Sequence, residues 1–445
     1  MTQTPITITG DSDSNFALLT ALTTSPTQSM SLQFSETPAA TELRLAVTDS
    51  GHLRDFSTIE RNILVQESSQ PNGVEFLPMK RLISPQEKDG IKTAMHAVLD
   101  SGQFTSGPYV SKLETTLAQW TGIQHAIGTC SGTEAMVIGL LALGIGPGDE
   151  VIIPANSFAA TENAVFLVGA TPVLADIDTQ YTLAPESVAR VVTPKTKAII
   201  PVHLYGKLTG MEALRQVADA HKLAILEDAC QSIGVTGLGR YADIAALSFN
   251  PFKNFSVCGK AGALLVHDDA LAHRCRAVGY HGFDPDKKNV KATAYGLNAR
   301  IDNLQAAIAL ARFPFLGLRN FKRLCLAHRY DKKLQSLCDQ GHVVKPSLSP
   351  DHVWHHYTVE TRTLPRDRVR QHMHERYGIE TDIYYPILTH HYETPTHRRL
   401  FENVDLPRTN AAAHAMFQLP MYPELSLEEQ DRVVAALEQT FLHYV

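Results

Sequence analysis

Ala224-Ile-Leu-Glu-Asp-Ala-Cys-Gln231 opens as an apolar, β-branched run and ends in two acids. That is the pattern of a strand buried on both faces whose last residues emerge at a sheet edge. Comparable runs flank it: Glu150-Val-Ile-Ile-Pro154, Pro172-Val-Leu-Ala-Asp176 and Lys197-Ala-Ile-Ile-Pro201 before, Ile244-Ala-Ala-Leu-Ser-Phe249 and Ala261-Gly-Ala-Leu-Leu-Val266 after. A further run ends near Cys130, and helical patterns such as Met211-Glu-Ala-Leu-Arg-Gln-Val217 fall between several of them. Strands alternating with helices predict an α/β fold, with a mainly parallel sheet of the seven-stranded type covered by helices on both faces. In such sheets the ligand site lies at the carboxyl ends of the strands.

Outward from this centre the chain divides into residues 77–310, a large α/β domain, and 311–445, a smaller α+β C-terminal domain. The second part shows a long helical pattern from Leu304 to Leu337, a strand pattern over Trp354 to Arg362, a helix over Arg366 to Tyr377, a strand over Thr381 to Tyr385 and a closing helix over Ser426 to Leu442. Residues 1–76 form an N-terminal extension rich in Ser, Thr and Gln, with one helical pattern at Phe16–Leu22, expected to pack on the main body. At Ser84-Pro-Gln-Glu87 a capping box with proline at the first helical position starts a helix that turns Ile91, Ala94, Met95 and Val98 to one side. No internal repeat is visible.

The chain has 445 residues, 44% hydrophobic and 19% charged, which is ample for a packed core. Its formal charge of −6 provides no positive field for nucleic acid or an anionic membrane surface. The six cysteines form no C-x-x-C pair, so neither zinc nor disulfides are indicated. No signal peptide is visible, and the most apolar stretch, Ala135 to Gly146, falls short of the roughly 20 residues of a membrane span. A cytoplasmic protein is expected.

Three features sit at strand ends. Ser131-Gly-Thr133 opens a helix and offers hydroxyls and free N–H groups to a phosphate, although alone it reads as a helix cap. Asp228 projects at the ligand edge. In Ser248-Phe-Asn-Pro-Phe-Lys253 a lysine stands in apolar and aromatic surroundings, where desolvation lowers an amine's pKa and makes it a nucleophile. Each has a bland reading, as a turn acid or a loop lysine. Together, a phosphate cup, an acid and a nucleophilic lysine meet the requirements of pyridoxal phosphate.

The chain resembles the DegT/DnrJ/EryC1 family of sugar aminotransferases, which are fold-type-I pyridoxal-phosphate enzymes. The matching stretches are Thr105-Ser-Gly-Pro108, Cys130-Ser-Gly-Thr-Glu-Ala135, Asn156-Ser-Phe-Ala-Ala-Thr-Glu-Asn-Ala164, Pro201-Val-His-Leu-Tyr-Gly206, Glu227-Asp-Ala-Cys-Gln231, the Lys253 segment and Gly296-Leu-Asn-Ala-Arg-Ile-Asp-Asn-Leu-Gln-Ala-Ala307. The resemblance implies that Lys253 carries the cofactor and, once freed, shuttles the substrate's proton. It implies that Asp228 pairs with the pyridinium, Gln231 bonds the ring hydroxyl, Phe158 stacks on the ring, and Ser131, Gly132, Thr133 and Ser248 take part in holding the phosphate. It also implies that Asn298 reaches the neighbouring subunit's cofactor, hence a homodimer with shared sites. Ser106, Tyr205, Lys260, Arg300, Arg323 and Tyr384 are candidate substrate contacts; for Tyr205 and His203 core packing is the alternative, and for the arginines a structural ion pair.

The departures are informative. Where the family usually has Gly-Glu-Gly-Gly after the lysine, this chain has Gly259-Lys-Ala-Gly262, and its usual His-Tyr-Pro is here Tyr384-Tyr-Pro386. Lys260 adds a cation near the substrate entrance, which suits a compact sugar phosphate. A narrower resemblance, carried by Lys260, Phe321-Lys-Arg323, Thr381–Pro386, Glu428–Arg432 and the extension, is to family members of kanosamine biosynthesis. It implies L-glutamate as donor, 3-dehydro-glucose 6-phosphate as acceptor and kanosamine 6-phosphate as product, by a ping-pong route. The alternatives are a nucleotide-linked keto-sugar or keto-inositol as acceptor, or a non-catalytic regulator that binds pyridoxal phosphate.

Overall fold

The computed structural model describes residues 5–8, 11–24, 31–34, 63–68 and 72–444. Seven strands form the central sheet in the order His125–Thr129, Gly262–Val266, Ile244–Ser248, Ala224–Asp228, Thr196–Ile199, Glu150–Pro154, Thr171–Ala175. Gly262–Val266 runs antiparallel to both its neighbours, and the remaining pairs are parallel. Ala224–Asp228 and Ile244–Ser248 lie near its middle, so their carboxyl ends open onto the same edge. Almost every residue of these strands is buried, which is why they read in sequence as unbroken apolar runs. Helices pack on both faces, among them Gly132–Ala142, whose buried residues belong to the same core cluster as Ile153, Leu226 and Leu264.

The expected capping box is formed: Ser84 Oγ accepts the Glu87 N–H at 3.2 Å and Glu87 Oε2 accepts the Ser84 N–H at 2.8 Å. Glu87 is itself buried between Arg312 (2.9 Å) and Arg319 (3.1 Å), which hold its carboxyl below the usual range against the opposing effect of burial. Of the four residues expected on the inner face of Pro85–Ser101, Ile91 and Val98 are buried and Ala94 is half-buried. Met95 is exposed, because this face is narrower than the spacing suggested.

A three-stranded antiparallel sheet, Val343–Val344, Tyr357–Thr361 and Met416–Leu419, marks the C-terminal part. The long helical pattern is broken at Pro314 into Asn303–Arg312 and Leu316–Lys333, followed by Gln335–Asp339. Helices Arg366–Tyr377 and Leu427–Tyr444 fall where expected. The strand expected over Thr381–Tyr385 does not form. Only Asp382 bridges to Gln418, and the chain then bends at Tyr384 and Tyr385. In the N-terminal extension the helical pattern appears as Ser12–Thr24, and Leu19, Ile63 and Leu64 join the core made by the C-terminal helices. Among the described residues no helix is long and apolar enough to cross a membrane.

Candidate active site

At the carboxyl edge of the sheet lies a cavity of about 980 Å³. Ten of the residues singled out in the sequence line it: Ser131, Gly132, Thr133, Phe158, Asp228, Gln231, Ser248, Lys253, Lys260 and Tyr384.

Ser131 caps the helix Gly132–Ala142, accepting the Glu134 N–H at 3.2 Å, so the helix's positive end faces the cavity. The backbone here leaves no room for a side chain: a Cβ on Gly132 would stand 2.7 Å from Cys230 Sγ and 2.8 Å from Ser248 Cβ. The bare peptide is therefore what this corner presents.

Strand alternation separates the two acids at the end of Ala224–Asp228. Glu227 is fully buried, accepts the Gly239 N–H at 3.0 Å and lies 2.7 Å from His203 Nε2. His203 Nδ1 accepts the Thr209 N–H at 3.2 Å, which leaves Nε2, beside Glu227, to carry the ring's proton. His203 is thus a support behind the strand, as its core alternative held. Asp228 faces the cavity. Its Oδ2 accepts from Thr161 Oγ1 at 3.0 Å and its Oδ1 from the Cys230 N–H at 3.2 Å. Ser157 Oγ lies 2.8 Å from Thr161 Oγ1 and steadies it.

Lys253 follows a turn closed by its own N–H on the Asn250 carbonyl at 2.9 Å. Burial pushes its amine below the usual lysine range, with Asp228 and Cys230 opposing the shift. A larger share of the side chain is then the neutral, nucleophilic amine. Gln231 is fixed at both ends, Oε1 accepting the Tyr205 N–H at 2.9 Å and Nε2 donating to the Tyr385 hydroxyl at 2.7 Å. Phe158, 60% exposed, is the N-cap residue of Ala159–Leu167, with its ring 6.1 Å from that of Tyr385. Tyr384 packs on His356 at 4.0 Å, and burial raises its phenol to about 12.

Five other candidates lie elsewhere. Ser106 and Arg300 line a separate cavity of about 860 Å³, where the Arg300 guanidinium lies 3.5 Å from the centroid of the Tyr280 ring. Asn298 is exposed and bridges to Tyr280. The expectation that Arg323 meets substrate is corrected: it is 3% exposed and donates to the carbonyls of Trp354, His355 and Met421 at 3.1, 3.2 and 2.8 Å. Burial lowers its pKa to about 9, and all three of these bonds come from Nη1, which ties the loops together. Tyr205 is likewise buried and outside the cavity, contributing its backbone to Gln231 and its ring to a stack on Tyr385.

Sequence reading passed over Thr161, Tyr385 and Cys230. Thr161 could have been found, since it lies one helical turn from Phe158 and four residues from Ser157 in a stretch already singled out.

The donor set fits pyridoxal phosphate. A helix N-terminus with a side-chain-free corner suits the phosphate, an oriented carboxylate suits the ring nitrogen, and a desolvated amine faces the same space. Fold and site together define a fold-type-I pyridoxal-phosphate transferase. Residues 85–438 match the DegT/DnrJ/EryC1/StrS aminotransferase family, and the chain belongs to it. A 3-oxo-glucose-6-phosphate:glutamate aminotransferase from Bacillus subtilis (strain 168) is 46% identical over 387 residues, 86% of this chain and 88% of that protein. A dTDP-3-amino-3,4,6-trideoxy-alpha-D-glucose transaminase from Streptomyces venezuelae is 38% identical over 352 residues, 78% and 90% of the two chains. The crystal structure of NtdA from Bacillus subtilis with bound cofactor PMP superposes with a TM-score of 0.91 at 42% identity, covering 99% of this chain and 100% of that one. The protein is a pyridoxal-phosphate-dependent aminotransferase.

Proposed function

We propose that this enzyme transfers the amino group of L-glutamate to a keto-sugar phosphate, with 3-dehydro-glucose 6-phosphate as acceptor and kanosamine 6-phosphate as product. The observation that carries the reading is Lys260, which lines the same cavity as Lys253 and brings a cation to the rim where the family usually has an acid. The likeness to the Bacillus subtilis aminotransferase supports it.

Bound pyridoxal phosphate supplies a conjugated electron sink that acidifies the carbon bearing the transferred nitrogen. The chain's own residues do the rest. The N–H groups at the start of Gly132–Ala142, with Ser131, Thr133 and Ser248, bind the phosphate. Asp228, oriented by Thr161 and the Cys230 N–H, supplies the anion for the ring nitrogen. Phe158 covers the ring face and Gln231 takes the ring hydroxyl. Lys253 Nζ, its pKa lowered by burial, accepts and returns the substrate's proton. Donor and acceptor occupy the one cavity in turn.

We place Asn298, Ser106 and Arg300 at the face that meets a second copy of the chain. There Asn298 of each subunit completes the other's phosphate site, and Ser106 and Arg300 approach the partner's substrate. Their position away from the Lys253 cavity agrees with a contribution across a dimer.

The test is the visible spectrum of the purified holoenzyme. L-Glutamate should bleach the cofactor band and the sugar phosphate, generated in situ, should restore it. Restoration by a nucleotide-linked keto-sugar instead sinks the reading, and Lys260→Glu should weaken the sugar phosphate selectively.

A further inference from the structure

None of the described residues of the N-terminal extension lines the Lys253 cavity. The end of the extension instead grips the segment that supplies the cavity's outer wall. Gly73, at φ +102°, crosses Gly378, at φ +66°, so closely that a Cβ on Gly73 would stand 2.6 Å from the Gly378 carbonyl oxygen. The crossing lets the Val74 N–H donate to the Gly378 carbonyl at 3.0 Å and the Glu380 N–H donate to the Val74 carbonyl at 2.9 Å. The Phe76 N–H donates to Glu380 Oε2 at 3.1 Å. Two glycines and three hydrogen bonds thus seat this short piece of chain against Gly378–Glu380.

The seated piece delivers one ring. Phe76 lies nearly parallel to the buried His356, at 5.9 Å and 11°, and His356 packs on Tyr384 at 4.0 Å. Three residues separate Glu380 from Tyr384, and this span is pinned from two sides, first by Arg370, which donates to Thr381 Oγ1 at 3.2 Å and to the Thr381 carbonyl at 2.8 Å. Asp382 and Gln418 exchange backbone bonds at 2.7 and 3.2 Å, and the Tyr384 N–H donates to Gln418 Oε1 at 2.9 Å. Tyr384 therefore has its backbone tied to Gln418 and its ring laid on His356, which Phe76 packs against. The family match begins at residue 85, so this packing comes from a part of the chain outside it.

We propose that Phe76 is a positioning residue for the transamination, setting through His356 the place of Tyr384 in the cavity wall and with it the fit of the acceptor. The inference rests on the site reading above. A sugar phosphate is larger than glutamate and spans more of the wall, so a displaced Tyr384 weakens the acceptor more than the donor.

The experiment uses the full-length holoenzyme. Phe76→Ala should raise the KM for the acceptor roughly fivefold to tenfold while the donor half-reaction with L-glutamate stays within about twofold. Amide hydrogen exchange across residues 380–385 should quicken about fivefold, with residues 224–228 unchanged. Phe76→Tyr keeps the ring and should restore both. If Phe76→Ala folds poorly, Glu380→Gln weakens the charge-assisted anchor and should move the same readouts less far. Unchanged exchange across 380–385 overturns the proposal, whichever keto-sugar is used. Faster exchange in an enzyme that ignores sugar phosphates overturns the substrate reading and leaves the brace standing.

Discussion

The chain carries two cavities of similar size, about 980 and 860 Å³, with opposite characters. The first holds a desolvated lysine, a carboxylate fixed by two hydrogen bonds and a helix N-terminus. The second holds an exposed arginine stacked on a tyrosine, near an exposed asparagine. Motif residues fall in both. The first cavity brings together groups that can perform chemistry, whereas in the second Glu114 and Arg276 are spent on each other and on the backbone, and the candidate residues Arg300 and Asn298 face outward.

The largest effect should come from removing the amine of the first cavity. Lys253→Ala is expected to slow both half-reactions by at least about 10³-fold, read from the rate of bleaching by glutamate and of its reversal. A residual rate near wild type would move the proton transfer to another group. Next, Asp228→Asn should cost about 10²-fold, since it removes the anion at nearly constant shape, the Cys230 N–H still donating to the amide oxygen while the Thr161 hydroxyl turns to accept from the amide nitrogen. Loss of cofactor affinity without loss of rate in the saturated enzyme would make Asp228 an anchor only.

The second cavity is tested by mixing. Asn298→Ala alone should weaken cofactor binding about tenfold, the scale of one charge-assisted hydrogen bond. Mixed with Lys253→Ala at limiting cofactor, it should regain activity, because a hybrid dimer then holds one intact site. No recovery on subunit exchange would put Asn298 at its own chain's site and dissolve the contrast between the cavities.

The smallest effect sharpens what underlies the first cavity. His352 stacks on Trp354 at 3.9 Å, accepts its N–H through Nδ1 at 2.9 Å, and is pushed by burial to about 3. The unfolded chain takes up the proton near the ordinary value of about 6.5, so this contribution is complete above that pH and is lost as pH falls toward 3. His355, bonded to Asn254 at 3.1 Å next to Lys253, shifts in the same direction by burial. The urea midpoint should therefore fall between pH 7.5 and 5.5, and His352→Gln should flatten that slope.

Much of this could be read before the structure. The seven sheet strands were legible because a strand buried on both faces must be apolar throughout, and the capping box at Ser84 because it needs particular residues at fixed spacing. The inner site was legible for the same reason, since few residue types can hold a phosphate, an anion and a nucleophilic amine. The outer wall was not. Thr381–Tyr385 has the composition of a strand, yet its backbone bends to present Tyr384 and Tyr385, a choice made by Gln418 and His356 far along the chain. Arg323 misled because a guanidinium looks the same whether it meets a substrate or three carbonyls. Its position was the clue: Leu316, Asn320, Arg323, Ala327 and Tyr330 repeat at four- and three-residue steps along one buried helical face.

Glu227 and Asp228 are neighbours in sequence and strangers in space, one locked to His203 and the other facing the cavity. What separates them is parity. Inserting or deleting one residue within Ala224–Asp228 would exchange their sides, offering the cavity the acid that His203 needs and burying the one the cofactor needs. Point substitutions along this strand are graded insults; a one-codon frame-preserving indel is an all-or-none one. Among descendants of this gene, length changes should be tolerated in the loops and absent between residues 224 and 228.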